Sequence, residues 1–127
     1  MSKIFLDSSI LVESLKGKDL AVSIIEVLMK KGALLVINPI VFSEVAYIFM
    51  KYAGKSRLKD LFSLLNSLAI FDVNAESVLI AEDLMLNYNL LPNDALILAA
   101  CKYYGIKYLA SLDSDFKTSA RRKESFW

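Results

Sequence analysis

The stretch NDALILAACKYYGIKYLASLDSDF, residues 93–116, decides the fold, because it passes from a helical pattern to a buried strand and then to two aspartates. Asn93 is a residue type that commonly precedes the first turn of a helix, and Gly105 is suited to follow the last turn. The apolar run KYLAS is too short for a helix and indicates a strand. Asp113 and Asp115 follow it, so two negative charges are expected where the core closes.

The rest of the chain shows the same alternation of helices and strands. Three further short apolar runs, KIFL, ALLVI and LAIF, indicate strands. One helix is predicted to begin after the cap Asn38 and to end at Gly54. Other helices are expected near residues 9–15, 20–31, 57–67 and 76–87. This order predicts an α/β fold with a central, mostly parallel sheet of four to five strands flanked by helices.

The composition is that of a single globular domain. The 127 residues are 56% hydrophobic, so we interpret residues 1–127 as one domain, with residues 117–127 as a basic tail. The net charge of +1 gives no overall field that would attract nucleic acid or a membrane. One cysteine, Cys101, and no histidine exclude a disulfide framework and a typical structural zinc site. No apolar run is long enough to span a membrane, so we expect a soluble, cytoplasmic protein without a membrane partner.

Several acidic residues lie where such a fold binds ligands. Ligands of open α/β sheets bind beyond the carboxyl ends of the strands, and Asp7 and Asp113 each follow a strand. Glu44 lies in line with Ile40 and Ile48 on an apolar stripe of its helix. No basic residue lies one turn away on that stripe, so the carboxylate of Glu44 needs another partner.

Each of these carboxylates also has a simpler explanation when it is taken alone. Asp7 suits a helix cap, and Asp94 suits the first turn of a helix. Asp113 and Asp115 suit a turn, and Glu44 is open to a salt bridge with a distant basic residue. If they converge, however, unit charges ~4 Å apart repel by ~4 kcal/mol at an effective dielectric constant near 20. A cluster of carboxylate oxygens therefore indicates one or two Mg²⁺ or Mn²⁺ ions, which activate water against a phosphodiester without histidine.

The succession FLDSS, PIVFSEVAYIF, LPNDALILAACKYYG and YLASLDSDF resembles the PIN-domain ribonucleases, and in particular the VapC-type toxins of bacterial and archaeal toxin–antitoxin pairs. The resemblance covers almost the whole chain, and its most specific part is the helix start N-D-A followed by S-L-D-S-D-F. It implies four residues that are both catalytic and metal ligands: Asp7, Glu44, Asp94 and Asp113. It further implies an auxiliary metal ligand, Asp115. The hydrogen-bonding residues that it implies are Ser8, Ser9 and Ser111.

The resemblance also implies an activity and partners. The expected reaction is metal-dependent endonucleolytic cleavage of RNA that leaves a 5′-phosphate, and the expected partners are a second copy of the chain in a homodimer and a cognate antitoxin. A PIN-like module that binds RNA or a partner without turnover is the alternative. A phosphorylated receiver-like domain fits less well, because serine follows Asp7 and Lys107 begins its strand instead of following it.

Overall fold

The computed structural model describes residues 2–112, and the predicted ligands Asp113 and Asp115 and the basic tail lie outside this range. The described elements, in chain order, are β1 (Lys3–Leu6), α1 (Ser8–Leu15), α2 (Asp19–Lys30), β2 (Leu34–Ile37), α3 (Pro39–Ala53), a 3-10 turn (Lys55–Arg57), α4 (Leu58–Asn66), β3 (Ala69–Ile70), α5 (Ala75–Tyr88), α6 (Pro92–Tyr103) and β4 (Tyr108–Ala110). The order confirms the predicted alternation, including two helices between the second and third strands.

The four described strands form one parallel sheet in the order β3-β2-β1-β4. β1 lies inside the sheet, where Phe5 pairs with Val36 of β2 on one side and with Leu109 of β4 on the other. The parallel sheet predicted from the sequence is therefore confirmed. Because β1 and β4 run in the same direction, the residues that follow Leu6 and Ala110 emerge side by side at one edge.

α6 is the most deeply buried helix of the described chain. It packs against α5 and also contacts α3, and its buried side chains are small or apolar: Ala95, Ile97, Leu98, Ala99, Ala100 and Cys101. Alanines let a neighbouring helix approach closely, which accounts for the packing of α5 along α6. Among residues 2–112, no helix is both long enough and apolar enough to cross a membrane.

The start of α3 agrees with its sequence signals. Asn38 Oδ1 accepts a hydrogen bond from the backbone N of Val41 at 3.1 Å, and Pro39 occupies the first helical position. The helix ends before Gly54, whose φ of 81° lies in the region that favours glycine. Local sequence therefore determines both ends of α3.

The start of α6 differs from the prediction. Asn93 was expected to cap the helix, but the helix begins at Pro92 with Leu91 as the preceding residue, and no side chain caps it. Proline has a fixed φ that suits a helix and lacks the N–H that would need a partner, so it takes the first helical position. Asn93 therefore lies inside the first turn, and its side chain has a different partner.

Candidate active site

Asp7 lies directly after β1 and is only 3% exposed. Its Oδ2 accepts hydrogen bonds from the backbone N of Ser9 at 3.4 Å, from Ser9 Oγ at 2.8 Å and from Ser111 Oγ at 2.8 Å. The first of these bonds makes Asp7 the N-terminal cap of α1. The structure thus places Ser9 and Ser111 beside Asp7 and joins the carboxyl ends of β1 and β4. Ser8 is half-buried, and its side chain forms no hydrogen bond within the described residues.

Ser9 also holds the chain that leaves β4. The backbone N of Leu112 donates to Ser9 Oγ at 3.0 Å, and the backbone N of Asp7 donates to the carbonyl oxygen of Ala110 at the same distance. Leu112 is the last residue that the structure describes, and Asp113 follows it in the sequence. The chain is therefore fixed next to Asp7 up to the position before the predicted ligand.

Glu44 is half-buried on α3, and its two oxygens differ. Oε2 accepts a hydrogen bond from Asn93 Nδ2 at 3.3 Å, whereas Oε1 is buried and has no hydrogen-bond partner. No basic side chain within residues 2–112 forms a salt bridge with Glu44, so the described chain does not supply the distant basic partner that the sequence left open. A buried carboxylate oxygen without a partner is costly, and a bound cation would compensate it.

Asp94 is the third residue of α6, next to Asn93, and is half-buried. A carboxylate in the first turn is favoured by the helix dipole, as the sequence predicted. The bond between Asn93 and Glu44 holds this helix start against α3. Asp94 and Glu44 therefore lie on two helices, α6 and α3, that this hydrogen bond connects.

The described carboxylates lie at two separate junctions between secondary-structure elements. The ends of β1 and β4 meet at Asp7, and the start of α6 meets α3 at Glu44. Within residues 2–112, no group of three or more acidic or cysteine side chains is arranged to hold a metal ion. Three of the five predicted ligands belong to the described residues, and the other two, Asp113 and Asp115, lie outside them.

Two asparagines whose sequence context indicates only a helix cap, Asn38 and Asn93, lie near the acidic residues in the structure. Asn93 donates to Glu44. Asn38 is fully buried, its Oδ1 caps α3, and its Nδ2 has no partner within the described chain. The pairing of Phe5 with Val36, continued along both strands, puts Asn38 opposite Asp7. Its signal in the sequence was a polar residue directly after a strand, the same signal that identified Asp7.

The donors of the described residues fit a hard divalent cation. Such cations prefer carboxylate oxygens, and both Asp7 and Glu44 offer one. All the hydrogen bonds that Asp7 accepts from the described chain end on Oδ2, so Oδ1 is left for another partner. The buried Oε1 of Glu44 lacks any partner in the same part of the chain.

Comparison with known proteins gives matches along nearly the full length. Ribonuclease VapC2 of Methanocaldococcus jannaschii is 38% identical over an alignment that covers 91% of this chain and 88% of the relative. The toxin–antitoxin complex from Klebsiella pneumoniae has the same fold, with a TM-score of 0.76, 23% identity and 89% of each chain covered. VapC20 of Mycobacterium tuberculosis, described as a sarcin-ricin loop cleaving toxin, also has a TM-score of 0.76, with 17% identity and coverage of 91% and 94%.

The sequence pattern of the PIN domain matches residues 4–121. This range contains every described strand and helix except the first residue of β1, and it includes Asp7, Glu44 and Asp94. Together with the full-length relative, the match means that the chain belongs to the PIN domain family.

Proposed function

We propose that this protein is a metal-dependent endoribonuclease and the toxin of a toxin–antitoxin pair. The observation that carries the proposal is the 38% identity with a protein named as a ribonuclease over 91% of the chain. The substrate is RNA, and the reaction is hydrolysis of a phosphodiester. The shared fold of the Klebsiella toxin–antitoxin complex supports an antitoxin as the partner.

The residues that would hold the metal are Asp7, Glu44, Asp94 and Asp113, with Asp115 as an auxiliary ligand. The unpartnered Oε1 of Glu44 and the available Oδ1 of Asp7 support this assignment. We propose one or two Mg²⁺ or Mn²⁺ ions, because an all-oxygen donor set suits hard cations. When bound, such a cation lowers the pKa of a coordinated water and offsets the charge of the phosphate.

The side chains of the protein orient these groups and move the protons. Ser9 and Ser111 hold Asp7 through Oδ2, so that its other oxygen keeps one direction. Water attacks the phosphorus, the bond from phosphorus to the 3′ oxygen breaks, and the products are a 5′-phosphate and a 3′-hydroxyl. The attacking water loses a proton and the 3′ oxygen gains one. Because the chain has no histidine, a carboxylate of the site accepts the proton of the water.

We further propose that the protein is a homodimer. α5 exposes apolar side chains one above another, since Val78 and Met85 are 40% and 38% exposed and Leu79 and Leu86 are 63% and 85% exposed. Residues seven apart share a helix face, so Val78 lies in line with Met85 and Leu79 with Leu86, and the exposed Glu82 and Asp83 lie between the members of these pairs. A second copy of the chain packed on α5 would remove this surface from water.

The proposed activity is tested on the purified protein with a labelled single-stranded RNA and Mn²⁺. We expect cleavage that EDTA stops. Asp94→Asn keeps the shape of the side chain and removes its charge. Loss of a residue that only orients a metal ligand typically lowers activity roughly 10- to 100-fold, and we expect Asp94→Asn to lower the cleavage rate by more than this. The rate is measured by following product on a gel, and the free energy of unfolding by urea denaturation.

Glu26→Gln is the matched control, because Glu26 is an exposed carboxylate on α2, a different helix from the one that carries the proposed dimer surface. It should cleave RNA at the rate of the unsubstituted protein. Cleavage that continues in EDTA, or that Asp94→Asn leaves unchanged, would contradict the proposed function.

A further inference from the structure

Asn93 joins the first turn of α6 to the acidic residue of α3. Its Nδ2 donates to Glu44 Oε2 at 3.3 Å, across 49 residues of sequence. We infer that Asn93 is a positioning residue that holds the carboxylate of Glu44 so that Oε1 is presented to the metal. This inference rests on the proposed function, because it takes Glu44 to be a metal ligand.

The hydrogen bond distinguishes the two oxygens of Glu44. The terminal torsion of a glutamate side chain is broad, so the carboxylate rotates readily unless a neighbour fixes it. The amide of Asn93 engages Oε2, and Oε1 is then the buried oxygen without a partner. Without the amide of Asn93, the carboxylate of Glu44 would rotate freely. Oε1 would then no longer point in one fixed direction.

The donor is neutral, which matters for a cation site. A lysine or arginine at this position would also hold Glu44, but it would cancel the negative charge that attracts a metal. Asparagine orients the carboxylate and leaves its full charge in place. No salt bridge to Glu44 is present within residues 2–112, so the charge of Glu44 is not offset by the described chain.

Other roles of Asn93 are weaker in this structure. It does not cap α6, since Leu91 is the residue before the helix and no side chain makes a capping bond there. It is exposed, so it contributes little to the core. Pro92 determines where the helix begins and thereby places Asn93 in the first turn, next to Asp94. The contact with Glu44 is therefore the interaction that explains the side chain.

The test compares Asn93→Leu and Asn93→Ala with the unsubstituted protein in two measurements. The first is the rise in Tm with Mn²⁺ alone, without RNA, which reports metal affinity by mass action. The second is the Mn²⁺ concentration that gives half-maximal RNA cleavage. Leucine has nearly the shape of asparagine but no donor. We expect both variants to need about tenfold more Mn²⁺, the lower part of the range for a residue that orients a ligand, with the rate at saturating Mn²⁺ close to that of the unsubstituted protein.

Asn93→Gln retains the amide and should recover part of the lost Mn²⁺ affinity. The matched control is Asn87→Ala, which removes the bond from Asn87 Nδ2 to Asp83 Oδ1, an exposed amide-to-carboxylate bond of 2.9 Å on α5. The control should leave the Mn²⁺ dependence unchanged in both measurements.

The outcomes separate the inference from the proposed function. If the unsubstituted protein cleaves RNA and Asn93→Leu has the same Mn²⁺ dependence, the inference is overturned and the function stands. If no RNA is cleaved but Mn²⁺ raises the Tm, the function fails, and the Tm series still decides the role of Asn93. If Mn²⁺ changes neither cleavage nor Tm of the unsubstituted protein, both are wrong.

Discussion

Asp7 directs one of its side-chain oxygens, Oδ2, toward Ser9 and Ser111, and its other oxygen makes no hydrogen bond with the described residues. The sequence offered two explanations of Asp7, a helix cap and a metal ligand. The geometry is compatible with both at once, because each explanation uses a different oxygen. A capping aspartate at the end of a strand is therefore no argument against a metal ligand.

Ser9 links three parts of the site, since its hydroxyl donates to Asp7 and accepts from the backbone of Leu112. We expect Ser9→Ala to lower the free energy of unfolding by about 1–2 kcal/mol, because the buried carboxylate loses a donor and the backbone N–H of Leu112 loses its acceptor. Urea denaturation measures the change.

Ser8→Ala serves as the control for that substitution. Ser8 is a half-buried neighbour whose hydroxyl forms no hydrogen bond in the described range, so its loss should change stability much less. Equal effects of the two substitutions would show that the hydrogen bonds of Ser9 do not carry the difference.

Single residues differ in how far the sequence reveals their roles. Glu44 could be singled out because its apolar neighbours Ile40 and Ile48 and the missing base are visible within one helix, and the structure shows a half-buried carboxylate with an unpartnered oxygen. Its role as a metal ligand stays a prediction. The contact of Asn93 with Glu44 could not be predicted, because the two residues are 49 positions apart in the sequence. Pro92, next to Asn93, also competes for the start of the helix, and the sequence alone did not show which residue prevails.

Helix ends follow local chemistry, whereas strand lengths depend on distant neighbours. The signals of α3, a capping asparagine, a proline and a final glycine, all lie within or next to the helix, and its predicted bounds agree with the structure. The run LAIF predicted a strand of four residues, but β3 comprises only Ala69–Ile70. β3 lies at one edge of the described sheet and pairs only with β2, so its length is set by that pairing.

The contribution of the Asn38 cap to the free energy of unfolding can be measured by comparing two substitutions of this residue. Both Asn38→Ser and Asn38→Ala remove the buried Nδ2 that lacks a partner, but only serine keeps an oxygen that can accept from the backbone N of Val41. We expect the alanine variant to be less stable than the serine variant by about 1 kcal/mol in urea denaturation.

The same pair of substitutions at Asn66, at the C-terminal end of α4, is the control for this experiment. Asn66 is exposed at the last residue of α4, and Asn66→Ser and Asn66→Ala should differ little from each other. If the two Asn38 variants were equally stable, the hydrogen bond to Val41 would contribute nothing to the start of α3.

Within residues 2–112, α6 is the most deeply buried helix, and Cys101 lies inside it. The thiol is 1% exposed, and burial raises its pKa from 9.0 to about 12, although a backbone hydrogen bond acts in the opposite direction. Because α6 packs along α5 and also contacts α3, we expect the buried thiol to reach water only when these helices separate. The neutral thiol is an inert core residue at physiological pH, as the sequence indicated.

This pKa difference predicts a loss of stability in alkaline solution. The folded protein keeps the thiol protonated up to about pH 12, whereas the unfolded chain loses the proton near pH 9.0, so the contribution is complete below pH 9.0 and declines as the pH rises toward 12. Above pH 9.0 we expect the stability of the unsubstituted protein to fall relative to that of Cys101→Ala by about 1 kcal/mol per pH unit.

The measurement is urea denaturation of both proteins between pH 7 and pH 10.5. All other ionisable groups are the same in both proteins, so their effects cancel in the difference. Two stability curves that stay parallel over this range would contradict the prediction.

The inner position of β1 has a consequence for the time at which the site forms. Ser111 and Asp7, which are hydrogen-bonded at the edge of the sheet, are 104 residues apart in the sequence. Ribosomes deliver the chain from its amino end, so Asp7 and Glu44 emerge long before β4 can pair with β1. Contacts of such long sequence separation also form slowly. A partly synthesised chain therefore carries Asp7 and Glu44 without the strand that completes their surroundings, and the candidate site is assembled only after β4 has been made.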